Sequence, residues 1–562
     1  MPEASAAAPM DAAPASNRRM AERLLAIRRH GKPMSNPFMN AERLALLEEL
    51  PTATTERERV RAAVTLAREQ LNAGLSEAAA AGFQAALDEV LANPGAHPEG
   101  LPGRLRVLLA VAHLRRGEQD NCVDGHNPDS CLMPIRDAGV HRLADGSEAA
   151  LGVLAGVLEE SPEDLTSRWL YNLAAMTLGR YPDGVPEAWR IPPAAFRSED
   201  DIGRFFDFAP ALGLDTVGLA GGVAVDDFNG DGRLDVVTSA WGAGEALRFF
   251  RQSTSADGRL VFEERTESAG LVGLTGGLNV THGDVNNDGH LDLLVLRGAW
   301  LKDQGRIPNS LLLGDGEGRF KDVTERAGLL SFHPTQVGIF ADFDRDGWLD
   351  LFVGNESSRG DRHPLELYRS NGADGALGFE NVTARMGAAP CSPVKGAAWG
   401  DIDNDGWPDL YLSCLGGANR LLRHRGDPTG PLFEDVTASA GVAEPLESFA
   451  TWFFDVDNDG DLDLFVAGYA NDFVNARANG VVADYLGDPD RGLYPRLYRN
   501  RGDGTFEDRT EAAGLGRALL MMGANFGDVD NDGWLDFYAG TGAPSFSALV
   551  PNRLFRNDGG ER

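Results

Sequence analysis

The sequence predicts a multidomain chain, α-helical to about residue 200 and all-β beyond it, and three observations carry that prediction. A nine-residue acidic loop, Asp-x-[Asp/Asn]-x-Asp-Gly-x-x-Asp, recurs six times in the second half of the 562 residues. Each copy runs directly into an apolar, partly β-branched or aromatic stretch of strand length. Before residue 200, apolar residues instead recur at three- and four-residue spacing, as in Leu105, Val107, Leu108, Val111 and Ala112.

The loops read DFNGDGRLD (Asp227 to Asp235), DVNNDGHLD (Asp284 to Asp292), DFDRDGWLD (Asp342 to Asp350), DIDNDGWPD (Asp401 to Asp409), DVDNDGDLD (Asp455 to Asp463) and DVDNDGWLD (Asp528 to Asp536). Side-chain oxygens at positions 1, 3, 5 and 9, with a backbone carbonyl at position 7, suit a hard cation that takes six to eight oxygens. The candidate ligands are Asp227, Asn229, Asp231, Arg233 and Asp235 in the first loop, and Asp284, Asn286, Asp288, His290 and Asp292 in the second. The third offers Asp342, Asp344, Asp346, Trp348 and Asp350, and the fourth Asp401, Asp403, Asp405, Trp407 and Asp409. The fifth offers Asp455, Asp457, Asp459, Asp461 and Asp463, and the sixth Asp528, Asp530, Asp532, Trp534 and Asp536. The seventh-position residue contributes only its carbonyl. The Gly at position 6 permits a tight turn.

Asp, Asn and Gly favour turns without any metal. Here, however, twenty-two aspartates stand at ligand positions, and carboxylates crowded in threes and fours repel without a counter-ion. About six Ca²⁺ are expected, Mg²⁺ being disfavoured because all-protein oxygen cages are uncommon for it. The loops lack the bidentate Glu of the helix-loop-helix Ca²⁺ motif, and their flanks place the cation in a β-hairpin.

Successive loops start 57, 58, 59, 54 and 73 residues apart, a period in the range of propeller and solenoid repeats. Each unit carries a second signature, as in NSLLLGDGEGRFKDVTERAGL from Asn309 and RLYRNRGDGTFEDRTEAAGL from Arg496. It pairs an apolar strand with a Phe-x-Asp-x-Thr strand across a Gly/Asp turn. With the two strands that bracket the acidic loop this makes four strands per repeat, the blade of a β-propeller. The last unit stops before its Phe-x-Asp strand, and FFDFAPALGL (Phe205 to Leu214) resembles the missing piece. Six blades closed by that strand is one reading, and a seven-bladed ring lacking a blade is the other.

The loops and their GFxDVTxxAGL companions resemble the FG-GAP/VCBS-type repeats of the cartilage-acidic-protein and ASPIC/UnbV group, over roughly residues 200 to 562. The resemblance implies Ca²⁺ in the hairpin loops, as in integrin α-chain propellers.

Residues 1 to 16 are Ala/Pro-rich and expected to be disordered; residues 17 to 200 form the helical part and residues 201 to 562 the propeller. Helices are expected over Arg19–His30, Ala41–Leu50, Thr55–Gly74, Ser76–Ala92, Gly103–Glu118, Ser147–Glu160 and Glu163–Gly179. Paired helices of this length resemble a degenerate tetratricopeptide array, whose ordinary task is partner binding.

Within the helical part, NCVDGHNPDSCLMPIRDAGVH holds Cys122, His126, Cys131 and His141. A Cys122–Cys131 disulfide is the expectation, in keeping with an oxidising compartment. A Cys/His transition-metal site and unengaged thiols are the alternatives, the spacing matching no standard zinc pattern. Cys391 and Cys414 flank the fourth loop about five positions out of register and are expected to be buried free thiols.

Net charge is −33, and six Ca²⁺ would bring it to −21. Nucleic acid and anionic membrane are therefore poor partners, and no apolar stretch reaches the length of a membrane span. No signal peptide is visible. Weak oxygen cages nonetheless suit extracellular Ca²⁺ levels, so an extracytoplasmic protein, secreted or periplasmic, is expected.

Two functions follow. One is a calcium-stabilised scaffold that binds a protein or glycan partner, with the insertion at Tyr469 to Gly492 as the candidate binding loop. Adhesion through Arg359-Gly360-Asp361 is disfavoured, because Arg425-Gly426-Asp427 and Arg501-Gly502-Asp503 show that the repeat itself generates this tripeptide. The other is a transition-metal oxidoreductase, with Cu, Fe or Zn held by His126, His141, His282 or His113 between a helical cap and the propeller funnel.

Overall fold

A computed structural model describes the chain except for residues 1–12, 51–53, 124, 126, 128, 131, 202, 204, 359, 373–376, 388–390, 392, 428, 470–475, 543–545, 547–548 and 561–562. Seven helices come first: α1 (Ala15–His30), α2 (Asn40–Glu48), α3 (Glu56–Asn72), α4 (Ser76–Ala92), α5 (Leu101–Cys122), α6 (Asp145–Glu160) and α7 (Leu165–Thr177). Local chemistry sets their starts. Thr55 and Glu58 form a reciprocal capping box on α3, and the Asp164 carboxylate accepts the Ser167 N–H at 2.7 Å to cap α7. From α3 to α7 each helix packs on its sequence neighbour. A one-turn helix, α8 (Ala209–Leu212), leads into the strands.

The β part is a six-bladed propeller. Blade 1 is β1 (Ala220–Asp226), β2 (Asp235–Ala240), β3 (Arg248–Thr254) and β4 (Leu260–Glu264); blade 2 is β5 (Asn279–Gly283), β6 (Asp292–Leu296), β7 (Ser310–Gly314) and β8 (Phe320–Asp322). Blade 3 is β9 (Thr335–Ala341), β10 (Asp350–Asn355), β11 (Glu366–Ser370) and β12 (Phe379–Asn381); blade 4 is β13 (Val394–Gly400), β14 (Asp409–Cys414), β15 (Arg420–His424) and β16 (Phe433–Asp435). A one-turn helix, α9 (Thr437–Ala440), follows it. Blade 5 is β17 (Ser448–Phe454), β18 (Asp463–Gly468), β19 (Arg496–Asn500) and β20 (Phe506–Asp508), with α10 (Ala476–Tyr485) inserted between β18 and β19. Blade 6 has three strands, β21 (Met521–Gly527), β22 (Asp536–Thr541) and β23 (Arg553–Phe555). Pairing within every blade is antiparallel and sequential. The strand expected from Phe205 onward does not form: Phe205 to Phe208 join no strand ladder among the described residues, and Ala209 to Leu212 are helical.

Successive blades bury shared apolar layers, such as Leu294, Leu296, Leu351 and Val353 between blades 2 and 3. The first helix belongs to this ring. Its Met20, Ala21 and Leu24 join Phe228, Phe249 and Phe320 of blades 1 and 2, so its apolar stripe faces the propeller and not the other helices.

The remaining helices cover the face of the ring where inner strands begin. Trp169 and Leu170 of α7 pack with Phe449, Tyr469, Val481, Val482 and Tyr485. Part of the blade 5 insertion, the candidate binding loop, is thus buried through Val481, Val482 and Tyr485, while residues 487–490 are exposed. Its described part lies under α7, where Thr166 Oγ1 donates to Asn479 Oδ1 at 2.7 Å and Arg553 to the Tyr485 hydroxyl at 2.9 Å. Residues 470–475 of that insertion lie outside the described residues.

Cys391 and Cys414 form a disulfide, Cα to Cα 6.1 Å. The expectation of free thiols counted register along straight strands. In the structure the ladder shifts between Val394 and Gly396, and Val394 pairs with Cys414. Cys391 stands three residues before Val394 in the chain. The Cys122–Cys131 expectation falls on Cys131, outside the described residues; Cys122 is the last residue of α5.

Candidate metal centres

All six acidic loops close the hairpin between the first and second strand of a blade. Register fixes this: Asp226 faces Asp235, Gly283 faces Asp292, Ala341 faces Asp350, Gly400 faces Asp409, Phe454 faces Asp463 and Gly527 faces Asp536. The ninth residue therefore opens the second strand and is buried, at 0–2% exposure in every blade. Its two oxygens do separate jobs. In the third loop Asp350 Oδ2 accepts the Phe343 N–H at 3.1 Å, and Oδ1 accepts the Ser370 N–H of the third strand at 2.7 Å. Asp292, Asp409, Asp463 and Asp536 repeat both bonds.

The first residue organises the turn. Asp342 accepts the N–H groups of Asp346 and Gly347 at 3.0 and 2.9 Å, and the other five loops reproduce the pair. Gly at position 6 is required, since φ there is +79° to +93°. Position 4 is also left-handed, at φ +52° to +72°, which explains the preference for Gly and Asn. Position 4 links neighbours as well: Asn287 reaches Gly347 O at 2.7 Å, Asn404 reaches Asp461 at 2.7 Å and Asn458 reaches Gly533 O at 3.1 Å.

Three carboxylates converge in each of the last four loops: Asp342, Asp344 and Asp350; Asp401, Asp403 and Asp409; Asp455, Asp457 and Asp463; and Asp528, Asp530 and Asp536, each set within 4.8 Å. The first two loops carry Asn229 and Asn286 at position 3, an amide oxygen in the same role. The donor set fits a hard cation on a direct observation. Asn229 Oδ1, Asp344 Oδ1, Asp403 Oδ1 and Asp457 Oδ1 are buried oxygens without a hydrogen-bond partner, an arrangement that costs free energy unless something fills the site. Burial, reinforced by the neighbouring carboxylates, pushes the Asp292, Asp350, Asp409 and Asp463 carboxyls up to about 7. A cation in the loop would reverse that.

One element escaped the sequence reading. An arginine on the third strand, or in blade 6 just past it, reaches the loop: Arg251 to Asp231 at 2.9 Å, Arg369 to Asp346 at 3.1 Å, Arg423 to Asp403 at 4.0 Å, Arg499 to Asp457 at 2.6 Å and Arg556 to Asp530 at 4.0 Å. Blade 2 has Leu313 there. The signal stood in the repeat, as FFRQS, LYRSN, LLRHR, LYRNR and LFRND against LLLGD. Four Asp with one Arg, and three Asp without, leave the same formal charge of −3. Blade 1, with three Asp and Arg251, is left at −2.

The candidate histidines are scattered. His282 lies on β5 with Nε2 3.0 Å from Asp226, at the acidic-loop end of the strand. The helices cover the other end, where the corresponding position is four residues away, roughly 13 Å along the strand. His141 Nδ1 meets Ser147 Oγ at 3.1 Å, and His113 sits on α5 with a buried Nδ1. His126 lies outside the described residues. Among the described residues, no convergent group of three ligand side chains includes a histidine. In Arg359-Gly360-Asp361 the Arg is likewise outside the described residues, and Asp361 is held by Arg306 at 2.6 Å and His363 at 3.2 Å.

The FG-GAP-like repeat matches residues 227–295, 342–412, 401–466 and 455–539, which contain all six acidic loops. The chain is similar to cartilage acidic protein 1 of Homo sapiens, 27% identical over 269 residues, covering 46% of this chain and 39% of that protein. The Mus musculus and Xenopus tropicalis proteins of that name are 27% and 25% identical, covering 46% and 44% of this chain and 40% and 38% of their own length. The match thus spans about two fifths of these relatives. The crystal structure of the V. cholerae biofilm matrix protein Bap1 aligns with 52% of this chain and 40% of its own, at 12% identity and a TM-score of 0.26, too loosely to bear on this fold.

Proposed function

We propose that this chain, which carries FG-GAP-like repeats in a six-bladed propeller, is a calcium-stabilised extracytoplasmic scaffold that presents a binding surface to a protein or glycan partner. The observation that carries the reading is the orphaned buried oxygen at position 3 of four loops, beside carboxylates pushed up by burial. Ions there would pin each hairpin to its own third strand through the ninth-position Asp. The ions serve architecture, so partner recognition falls to surfaces outside the loops. The antiparallel helices α2 to α7, read as tetratricopeptide-like, supply one such surface on their outer side. The Cys391–Cys414 disulfide supports an oxidising compartment. The chain has no described helix long and apolar enough to cross a membrane.

The test is elemental analysis of protein purified without chelator or a metal-affinity column, followed by surface plasmon resonance against glycan and matrix-protein panels in Ca²⁺ and in EDTA. About six Ca²⁺ per chain, and a ligand released by EDTA, are expected. No retained Ca²⁺ would sink the structural reading. One stoichiometric Cu, Fe or Zn lost on His141→Ala would replace it with the oxidoreductase reading.

A further inference from the structure

A cavity lies where the C-terminal half of α1 meets the loops of blades 1 and 2. Ile27 and Arg28 line it from α1, Trp241 from the loop after β2, Thr275 and Gly276 from the loop before β5, and Arg297 from the loop after β6. About 20 Å³ of it is open to the centres of water-sized molecules, somewhat more than the roughly 10–15 Å³ that one water needs. The acidic loops stand at the opposite end of these strands.

Arg297 is only 1% exposed, and its hydrogen-bond partners are all neutral. Nε donates to the Thr275 carbonyl at 2.9 Å, and Nη1 donates to the Pro308 carbonyl at 3.0 Å and to Ser310 Oγ at 2.8 Å. Nη2 has no partner. It shares the Nε edge of the guanidinium, the edge turned to Thr275 on the cavity wall. Burial lowers the pKa to about 10 and the charge of Asp322 opposes that shift, but Asp322 forms no ion pair with it among the described residues. Arg297 therefore stays charged at neutral pH. A fully buried cation is normally paired, and this one is not. The Trp241 Nε1–H is a second buried donor without an acceptor, and neither guanidinium nor indole can accept. At the mouth, the exposed Arg28 guanidinium rests on Gly244, where a Cβ would collide with it. Arg28 too has no carboxylate partner among the described residues, although the chain carries a net charge of −33.

We propose that this cavity binds a carboxylate, whose two oxygens accept from Arg297 Nη2 and Trp241 Nε1 while Arg28 adds positive charge at the mouth. Leaving such donors buried and unmade costs free energy, and an ionised acceptor removes that cost most effectively. The volume admits one small group. The wall holds no further orphan donor among the described residues, so nothing there answers the additional oxygens of a phosphate or sulfate. The carboxylate belongs either to a free small acid or to a uronate of a glycan, and both present the same group to the same donors. The site stands apart from the calcium loops and does not depend on the scaffold reading.

The test titrates the full chain calorimetrically with sodium acetate and sodium glucuronate, with sodium chloride and the neutral acetamide as comparisons. One carboxylate per chain is expected to bind saturably, and acetamide not at all. In the nitrogen–proton NMR spectrum one indole N–H resonance, absent from Trp241→Phe, is expected to move downfield on binding. Trp241→Phe keeps the ring and removes the donor, and it should weaken binding about tenfold or more. Arg297→Gln should abolish binding; if that variant fails to fold, Trp241→Phe and Arg28→Gln still decide. Glucuronate binding more tightly than acetate assigns the group to a glycan uronate, and acetate binding alone assigns it to a free small acid. The proposal is overturned if neither carboxylate binds, which leaves the cavity to water, or if Trp241→Phe binds as the parent does. Chloride binding as tightly as acetate, with the same losses in the variants, would reduce the site to an adventitious ion only.

Discussion

The Lys395 ammonium lies 3.5 Å from the centre of the Trp300 ring, buried where four blades converge beneath the helices. Trp300 belongs to the loop after β6 and holds φ +70°, a conformation rare for a large side chain. The Glu356 carboxylate accepts its N–H at 2.6 Å and also pairs with Lys395. Gln336 Oε1 accepts from the same ammonium at 3.3 Å, and the Phe449 ring stacks on Trp300 with centroids 5.8 Å apart. One buried cation thus ties together residues of blades 2, 3, 4 and 5. Burial lowers its pKa and Glu356 opposes that shift.

Removing one member of a buried ion pair costs about 3–5 kcal/mol, while replacing both is often nearly neutral. Lys395→Met is therefore expected to lower stability by that amount, because Glu356 is left charged and unpaired. Lys395→Met with Glu356→Gln should recover most of the loss. Urea denaturation of the two variants decides it, and equal destabilisation of single and double variants would contradict the pairing.

Chelation should have opposite pH signatures with and without calcium. Ions bound only by the native state stabilise it by about 2.7 kcal/mol per site at a hundredfold excess over Kd, so EDTA should lower Tm by more than about 10 °C. In EDTA, Asp292, Asp350, Asp409 and Asp463 keep carboxyls raised to about 7, against about 3.9 unfolded. The folded state then binds more protons than the unfolded one between those values, so these groups' contribution to stability falls as pH rises from about 4 to about 7. Tm in EDTA is expected to be higher at pH 5.5 than at pH 7.5. In saturating Ca²⁺ protons compete with the ion, and the order reverses. Differential scanning calorimetry at the two pH values checks both signs.

The loops differ in charge, and their affinities should follow. The first has three Asp, Asn229 and the Arg251 guanidinium 2.9 Å from Asp231, the lowest net negative charge of the six. Ligand charge tunes Ca²⁺ affinity, so this site should empty first in a chelator titration. Asn229→Asp adds the missing carboxylate and is expected to tighten it roughly tenfold, about 1.4 kcal/mol. Calorimetric titration would show one weak class of site disappearing; an unchanged isotherm would contradict the ranking.

What the sequence disclosed was whatever local chemistry dictates. The nine-residue loops specify a hairpin through Gly at a left-handed position and Asp oxygens aimed at neighbouring N–H groups, and both effects act within the loop. Strand count followed, as did helix positions such as Ser76–Ala92. Relations set by tertiary packing stayed hidden. The stripe of Val481, Val482 and Tyr485 in the blade 5 insertion is a helical pattern, but nothing local says that it lies under Trp169. The repeated Arg on the third strand was visible as a letter, yet its reach to Asp346 or Asp457 depends on register. The Cys391–Cys414 disulfide likewise stands beside a ladder shift at Val394 that alternation alone does not reveal.

The first helix offers the last prediction. Asn17 is fully buried, and its amide donates to the Gly270 and Phe320 carbonyls at 2.9 Å each while its oxygen accepts the Asp322 N–H at 2.8 Å. It stitches α1 to the turn of blade 1 and the fourth strand of blade 2, supplying backbone groups that have no strand beyond them. Each buried group left unpaired costs about 1–3 kcal/mol, so Asn17→Ala is expected to cost at least about 3 kcal/mol. Asn17→Asp should also be harmful, since an ionised carboxylate faces two carbonyl oxygens where an amide donated. The loss should be local: hydrogen exchange ought to quicken at Phe320 to Asp322 and across α1 while β13 to β16 stay protected. Uniform quickening around the ring would mean that α1 is a general prop and not the specific closure of blades 1 and 2.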